Sequence, residues 1–389
     1  LGMMKELPMQ FPLEGVRVVE LARILAGPWA GQTLADLGAT VIKVESPEGD
    51  DTRRWGPPFI TDGDDVAAAY FHSCNRGKLS ITADFNSAED VEKLRALIAN
   101  ADVVIENFKV GGLKKFGLDF ESLKAINPKL IYCSITGFGQ TGPYAGRAGY
   151  DFIVQGMAGI MDLTGEPDRE PQKIGVAFGD IFTGLYSVIA IQAALILRNS
   201  TGEGQHIDMA LLDSTVAVLA NQAMNFLASG KAPTRLGNTH PNIAPYQLFP
   251  VSDGSIIIAC GNDNQFARLC DILRLSAVAA DLRFKTNADR VRHRAELTSV
   301  MEAQTKLFRR MDLLADLARV GVPAGPINTV EDVFADPQVA HRQMIVENEG
   351  IPGIRTPIIF SGAALTSHRK SPRLGEHNGK VQSDWFSTD

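Results

Sequence analysis

The chain has little of what usually marks a catalytic or binding site. Its four cysteines, Cys74, Cys133, Cys260 and Cys270, are scattered and show no metal-ligand spacing, as expected of reduced thiols in a cytosol. The seven histidines are isolated: there is no His-x-x-x-His pair, and no Gly-x-Ser-x-Gly elbow. Each lone histidine therefore reads as structural or superficial, and no metal is expected. Positive charge is not in excess, with 38 Lys and Arg against 45 Asp and Glu, which argues against nucleic acid as a main partner. Internal repeats and low-complexity tracts are missing. The start, Leu1-Gly2-Met3-Met4-Lys5-Glu6, lacks the apolar stretch of a secretory signal, and Leu1-Gly2 reads as an expression scar. Only Ile181 to Leu197 approaches the length of a membrane span. Thr183, Gly184, Ser187 and Gln192 interrupt it and no second span exists, so it reads as a buried helix in a cytoplasmic protein.

What is present is the composition of a soluble globular protein, 45% hydrophobic and 21% charged. At 389 residues the chain is too long for one ordinary core, so two domains or more are expected. Short apolar strands alternate with helical stretches. Val16–Leu21 reads as a strand, Trp29–Leu37 as a helix with Pro28 in its first turn and Gly38 as its stop, and Thr40–Glu45 as the next strand. Ser80–Ala83, Val103–Ile105 and Leu130–Ile135 continue the strands; Ala88–Ala99 and Phe120–Ile126 continue the helices. The pattern predicts an α/β fold with a doubly wound, mostly parallel sheet. The first βα turn does not bind a dinucleotide on this reading, because Gly-x-Gly-x-x-Gly is missing and Pro28 has no N–H to offer a pyrophosphate. We place the large domain at residues 1–198, a linker helix region at 199–228, a smaller α+β domain at 229–327 and a C-terminal segment returning to the large domain at 328–389.

Asp180 is the residue around which the chain is organised. It stands in Gly175-Val176-Ala177-Phe178-Gly179-Asp180-Ile181-Phe182-Thr183-Gly184, directly before the apolar run. Local sequence favours a helix cap that accepts backbone N–H bonds. The sharper reading is a nucleophile: a carboxylate of ordinary pKa is ionised at neutral pH, glycines admit a substrate, and a helix start can hold developing negative charge. Both readings can be true at once. Loops at the C-terminal ends of strands supply Arg53-Arg54, Lys109, Lys114-Lys115 and Arg147. Singly these are surface charges; on one edge of one sheet they suit a phosphorylated ligand.

Taken together, these motifs resemble the class III CoA-transferases, the CaiB/BaiF family, which includes formyl-CoA transferase, carnitine CoA-transferase and α-methylacyl-CoA racemases. The resemblance runs from Pro12-Leu13-Glu14-Gly15 to Leu374-Gly375-Glu376-His377. It passes through Ala26-Gly27-Pro28, Gly49-Asp50-x-Thr52-Arg53, Glu106-Asn107-Phe108, Gly149-Tyr150-Asp151, Gly179-Asp180 and Thr201-Gly202-x-Gly204-Gln205. It implies that Asp180 is the nucleophile. It implies CoA contacts at Leu25-Ala26, at Ala83, Asp84 and Phe85, at Asn107-Phe108-Lys109, at Lys115, and at Arg147, Gly149, Tyr150 and Asp151. Ser46 stands where a relative has Arg, and Ala148 where a relative has Lys, with Arg147 beside it as the compensating cation. The implied fold is a Rossmann-like large domain with a smaller α+β domain, in an interlocked homodimer. No cofactor is tightly bound; acyl-CoA and a carboxylic acid are the substrates. The loops around Arg53 and Arg147 look most like those of relatives that use succinyl-CoA with glutarate-like acids, with Arg53, Arg54 or His240 for the distal carboxylate. Two alternatives stand beside transfer. Racemases of the family carry His where this chain has Tyr150, and a tyrosine is a poor base at pH 7. A non-catalytic CoA-binding protein would need no Asp180. The glycine-rich loop of formyl-CoA transferase has no counterpart, Asn238–Asn242 being the nearest stretch.

Overall fold

In a computed structural model the described residues are 11–363, 365 and 369–381, so the reading of the chain's start lies outside them. The chain divides into two compact units. The first comprises residues 1–160, 173–229 and 338–389. Its elements run β1 (Arg17–Glu20), α1 (Ala26–Asp36), β2 (Thr40–Glu45), β3 (Phe59–Asp62), β4 (Asp65–Ala68), α2 (Ala69–Ser73), β5 (Leu79–Thr82), α3 (Ala88–Ala99), β6 (Val103–Glu106), α4 (Phe120–Lys124), β7 (Ile131–Thr136), α5 (Asp151–Met157), α6 (Phe178–Thr201), β8 (His206–Ala210), α7 (Leu211–Ala217) and α8 (Asn221–Ser229). Six of the strands form one parallel sheet in the order β5-β2-β1-β6-β7-β8.

The apolar strands explain this arrangement. Buried on both faces, they read as continuous rather than alternating hydrophobic runs. Successive side chains still point to opposite faces. Val18, Val103 and Ile105 join Leu34, Val188 and Ile191 in one core; Val19, Ile42 and Val104 join Leu94, Leu97 and Ile98 in the other. Helix α3 begins where Ser87 accepts the Asp90 N–H, with Glu89 and Asp90 in its first turn. Helix α1 starts three residues earlier than its pattern suggested, at Ala26. The β3–β4 hairpin carries no alternation strong enough to have been read in advance.

Three expectations change. Residues 199–228 are no linker: β8 completes the sheet beside β7, and this stretch belongs to the first unit. Residues 161–172, placed in the large domain, belong to the second unit. Helix α6 is also not buried all round. Thr183, Gly184, Ser187, Val188, Ile191 and Ala194 face inward, while Ile189, Leu197 and Ile196, the last 72% exposed, face outward. Among the described residues it is the one helix long and apolar enough to cross a bilayer, by length and composition.

The second unit, residues 161–172 and 230–337, has its own core. An antiparallel sheet of β9 (Tyr246–Val251), β10 (Gly254–Ala259) and β11 (Ala324–Gly325) packs on helices Asp263–Ile272, Arg294–Thr305 and Arg310–Arg319. Phe249, Ile256, Ile258, Phe266, Leu269, Met301, Leu313 and Leu317 fill it. Helix Asn287–Arg292 precedes Arg294–Thr305, the two separated at His293.

Candidate active site

Chain order reverses between β1 and β6, and ligands of open α/β sheets sit outside the strand C-termini at such a point. The loops leaving these two strands line a cavity of about 430 Å³. Arg23, Ile24, Leu25 and Ala26 come from the first loop, Asn107, Phe108 and Lys109 from the second; Arg147, Gly149, Tyr150 and Asp180 close the remaining wall. A second cavity of about 370 Å³ shares Arg23 and Phe108 and adds Ser46, Ala83, Asp84, Phe85 and Asn86. The two therefore adjoin. The Phe85 and Phe108 rings lie 5.8 Å apart, and the Arg23 guanidinium lies 5.8 Å from the Phe108 ring centre. That end offers aromatic faces and cationic charge, which suit a base and a phosphate.

Asp180 lies at the other end, in the first turn of α6. It does not cap its helix. The cap is Asp151, whose Oδ1 accepts the N–H groups of Gly179 at 2.7 Å and Asp180 at 3.1 Å. Gln155 Nε2 donates to Asp151 Oδ2 at 2.7 Å, and Gln155 Oε1 accepts the Ile174 N–H. Gly179 suits this close approach, since a Cβ would lie 3.0 Å from both Asp151 Oδ1 and Thr215 Oγ1 and would press on both. The Asp180 carboxylate receives no hydrogen bond from any described residue, so its oxygens are left to the cavity. Burial, and then the Asp151 charge, push its pKa from 3.8 up to about 7. The sequence alone predicts a carboxylate ionised at neutral pH; its surroundings instead raise its pKa toward neutrality.

Helix α1 begins at the same cavity. No side chain caps its first turn, and its N–H groups there can meet negative charge developing on a ligand. Gly184, one turn along α6 from Asp180, lets the two helices close: a Cβ there would lie 2.8 Å from the Ala26 carbonyl oxygen.

A model of CoA-transferase family III matches residues 13–378. The chain belongs to CoA-transferase family III. It is 60% identical over 381 residues to a succinate–glutarate CoA-transferase of Agrobacterium fabrum, covering 96% of this chain and 95% of that one. It is 42% identical over 386 residues to a human succinyl-CoA:glutarate CoA-transferase, covering 97% of this chain and 87% of that one. The crystal structure of a CaiB/BaiF family protein from Brucella suis superposes with a TM-score of 0.87 at 68% identity, covering 96% of this chain and 99% of that one. This protein is a CoA-transferase with a mixed α/β fold around a parallel sheet.

Not every expected residue of this CoA-transferase stands in the site. Arg53 is no substrate cation: it is buried, donating to Glu45 Oε1 at 2.7 Å and Oε2 at 2.8 Å and lying 3.7 Å from the Phe71 ring centre. Glu45 and Arg53 thereby neutralise each other beneath the loop. Arg54 is exposed, bonded to Glu48 and Asp51, and lines neither cavity. His240 belongs to the second unit, where its Nδ1 accepts the Asn242 N–H and its ring lies 4.9 Å from that of Tyr246. Asp151 supports Asp180 and does not line the cavity. Lys115 is exposed, 4.6 Å from the Phe116 ring centre, with Phe85 beyond it at 5.4 Å from Phe116.

Two residues were missed. Arg23 follows β1 directly, and the rule that found Lys109 after β6 would have found it. Tyr70 gave no local signal. Burial, and then the Asp180 carboxylate, push its phenol pKa well up, so it stays a neutral O–H at the nucleophile's end.

Proposed function

We propose that this enzyme transfers CoA from succinyl-CoA to a glutarate-like dicarboxylic acid, with Asp180 as the nucleophile. The observation that carries the reading is the pair of adjoining cavities, with phenylalanine rings and Arg23 at one end and an unbonded carboxylate at the other. An elongated acyl-CoA fits that polarity, its adenine against the Phe85 and Phe108 pair and its thioester at Asp180. Arg23 takes the role of the cation that Ser46 does not supply, alongside Lys109 and Arg147. The curated relatives named above, both acting on succinyl or succinate and glutarate, support the substrate pair.

The steps balance as follows. The Asp180 carboxylate attacks the donor thioester carbonyl and expels CoA thiolate, giving a mixed anhydride. The thiolate attacks the aspartyl carbonyl and releases succinate, leaving an aspartyl-CoA thioester. The acceptor carboxylate attacks that carbonyl, CoA leaves again, and a new anhydride forms. The thiolate then takes the acceptor's acyl group and frees Asp180. Each step regenerates what the next consumes, provided water is excluded.

The test is an acceptor panel with succinyl-CoA as donor. Glutarate and its near homologues are expected to turn over fastest, with α-deuterium of the donor retained. Oxalate or an aromatic acid as the best acceptor would end the dicarboxylate assignment, and deuterium washout would favour the racemase. Binding without turnover across the panel would leave a CoA-binding protein. The functional unit on this reading is a homodimer, interlocked as the family resemblance implies. The exposed apolar side chains of Phe152, Ile153, Ile189, Ile196, Met224 and Leu227 support it, since a soluble monomer rarely leaves so much apolar surface uncovered. Light scattering is expected to give twice the chain mass; the chain mass itself would refute the dimer.

A further inference from the structure

Ile24 has φ of +73°, a left-handed conformation that is a genuine outlier for a β-branched side chain. It lines the Asp180 cavity immediately before the Leu25–Ala26 start of α1. Side chains hold the backbone polar groups from the Ala22 carbonyl to the Ile24 carbonyl. Lys43 Nζ donates to the Ala22 carbonyl at 3.0 Å. Asn107 accepts the Arg23 N–H at 2.9 Å and donates to the Arg23 carbonyl at 2.6 Å. The Ile24 N–H reaches Asp50 Oδ1 and Oδ2 at 3.3 and 3.2 Å, and the Cys74 thiol lies 3.5 Å from the Ile24 carbonyl. Asp50 is itself fixed: Lys43 Nζ lies 2.9 Å from its Oδ2, and Thr52 donates its N–H and its hydroxyl to Oδ1 at 3.0 and 2.8 Å. These groups are buried. Burial raises the Asp50 pKa, but Lys43 and Thr52 outweigh it and hold the carboxylate ionised.

We propose that Asp50, set by Lys43, is a positioning residue for CoA transfer, holding Ile24 in its left-handed conformation so that the start of α1 stands against Asp180. Substrate does not touch Asp50; the effect passes through one peptide. A backbone held off its preferred conformation needs over-determined partners, and here they converge from β2, the loop after it, α2 and the end of β6. Ile24, Leu25 and Ala26 line the cavity that holds Asp180 and not the adjoining one that holds Phe85. The effect therefore belongs to the rate of the chemical step more than to donor binding.

The proposal rests on Asp180 as nucleophile, so Asp180→Ala is assayed in the same series. Asp50→Asn is expected to lower kcat about 10²-fold, with the KM for succinyl-CoA moving less than about threefold. Adding Ile24→Gly, which carries no Cβ penalty at positive φ, is expected to recover at least about tenfold of that kcat while the melting temperature stays at the Asp50→Asn value. A merely structural Asp50 would give no such recovery. Wild-type kcat in Asp50→Asn, or a loss that Ile24→Gly leaves untouched in folded protein, overturns the proposal. If Asp50→Asn does not fold, Thr52→Val, which keeps the buried charges and removes one hydrogen bond to Asp50, takes its place. It should lose kcat about fivefold and recover it with Ile24→Gly, and unchanged kcat overturns the proposal there too. Activity retained in Asp180→Ala overturns the nucleophile reading instead, whereas an inactive Asp180→Ala beside a fully active Asp50→Asn removes only the positioning role.

Discussion

Asp180→Asn is expected to lose CoA transfer by a factor on the order of 10⁴–10⁶, the scale seen when a covalent catalyst loses its nucleophile. Asparagine keeps the shape of the side chain and the Asp151 cap, so α6 stays intact; what goes is the oxygen that attacks the thioester. The direct record is chemical. Wild-type protein mixed with succinyl-CoA, without acceptor, then treated with borohydride, should carry a reduced side chain at position 180 that the variant lacks. An unaltered position 180 with succinyl-CoA demonstrably bound would sink the covalent route. Two pH signatures follow from the carboxyl that burial and Asp151 push up to about 7. Attack needs the ionised form, so kcat/KM for the donor should rise with pH and level off above about 7. Asp151→Asn removes the neighbouring charge and moves that limb to lower pH. Stability runs the other way. With the folded pKa raised, the folded state binds the proton more tightly than the unfolded one. Stability is full below 3.8 and is lost as pH rises through about 7. Asp180→Asn should therefore melt above wild type at pH 8, and the difference should vanish near pH 4. Equal melting temperatures at both pH values would mean that Asp180 is not strained by its site.

The position of Asp180 was legible because glycines and an apolar run frame it locally. Its ionisation was not, because what raises the pKa is burial and then the charge of Asp151, and only the fold brings either there. The parallel sheet was legible from Val18-Val19, Val41-Ile42 and Val103-Val104-Ile105, apolar on both faces. His206-Ile207-Asp208-Met209-Ala210 was legible as a strand, but its place beside β7 was not, because a long helix separates the two in sequence. Arg53 shows the limit most clearly. In sequence it is one more cation in a loop after a strand, indistinguishable from Arg23. Partner and burial alone separate them: Arg53 turns down onto Glu45, and Arg23 turns out over Phe108. Local sequence gives the residue type and the sheet edge; which side of the loop a charge takes is decided by what lies beneath it.

Beneath that loop lies the charge cluster whose disruption should have the largest effect on folding. Glu20 at the end of β1 is fully buried, paired in register with Lys43 on β2. Its carboxylate also takes Lys78 Nζ at 2.8 and 3.1 Å. Lys78 donates further to the Pro28 carbonyl and Asn75 Oδ1, both at 2.8 Å, but among the described residues Glu20 is the one carboxylate it pairs with. Lys43 keeps Asp50 if Glu20 is neutralised; Lys78 keeps none. Glu20→Gln is therefore expected to lower stability by about 3–5 kcal/mol, the scale for stranding a buried charge. The pH dependence identifies the cause. Burial already lowers the Lys78 pKa, against the pull of Glu20, and removing Glu20 lowers it further. The unfolded chain then binds the Lys78 proton more tightly than the folded one, so the deficit of the variant is largest at neutral pH and shrinks as pH rises toward 10.5. Adding Lys78→Met to Glu20→Gln removes the stranded charge and should recover most of the loss, as hydrophobic replacements of buried ion pairs do. Denaturant melts at pH 7 and 10 decide it. A loss below about 1 kcal/mol would mean that water reaches Lys78, while a loss insensitive to pH and to Lys78→Met would trace to packing around Glu20 rather than to charge.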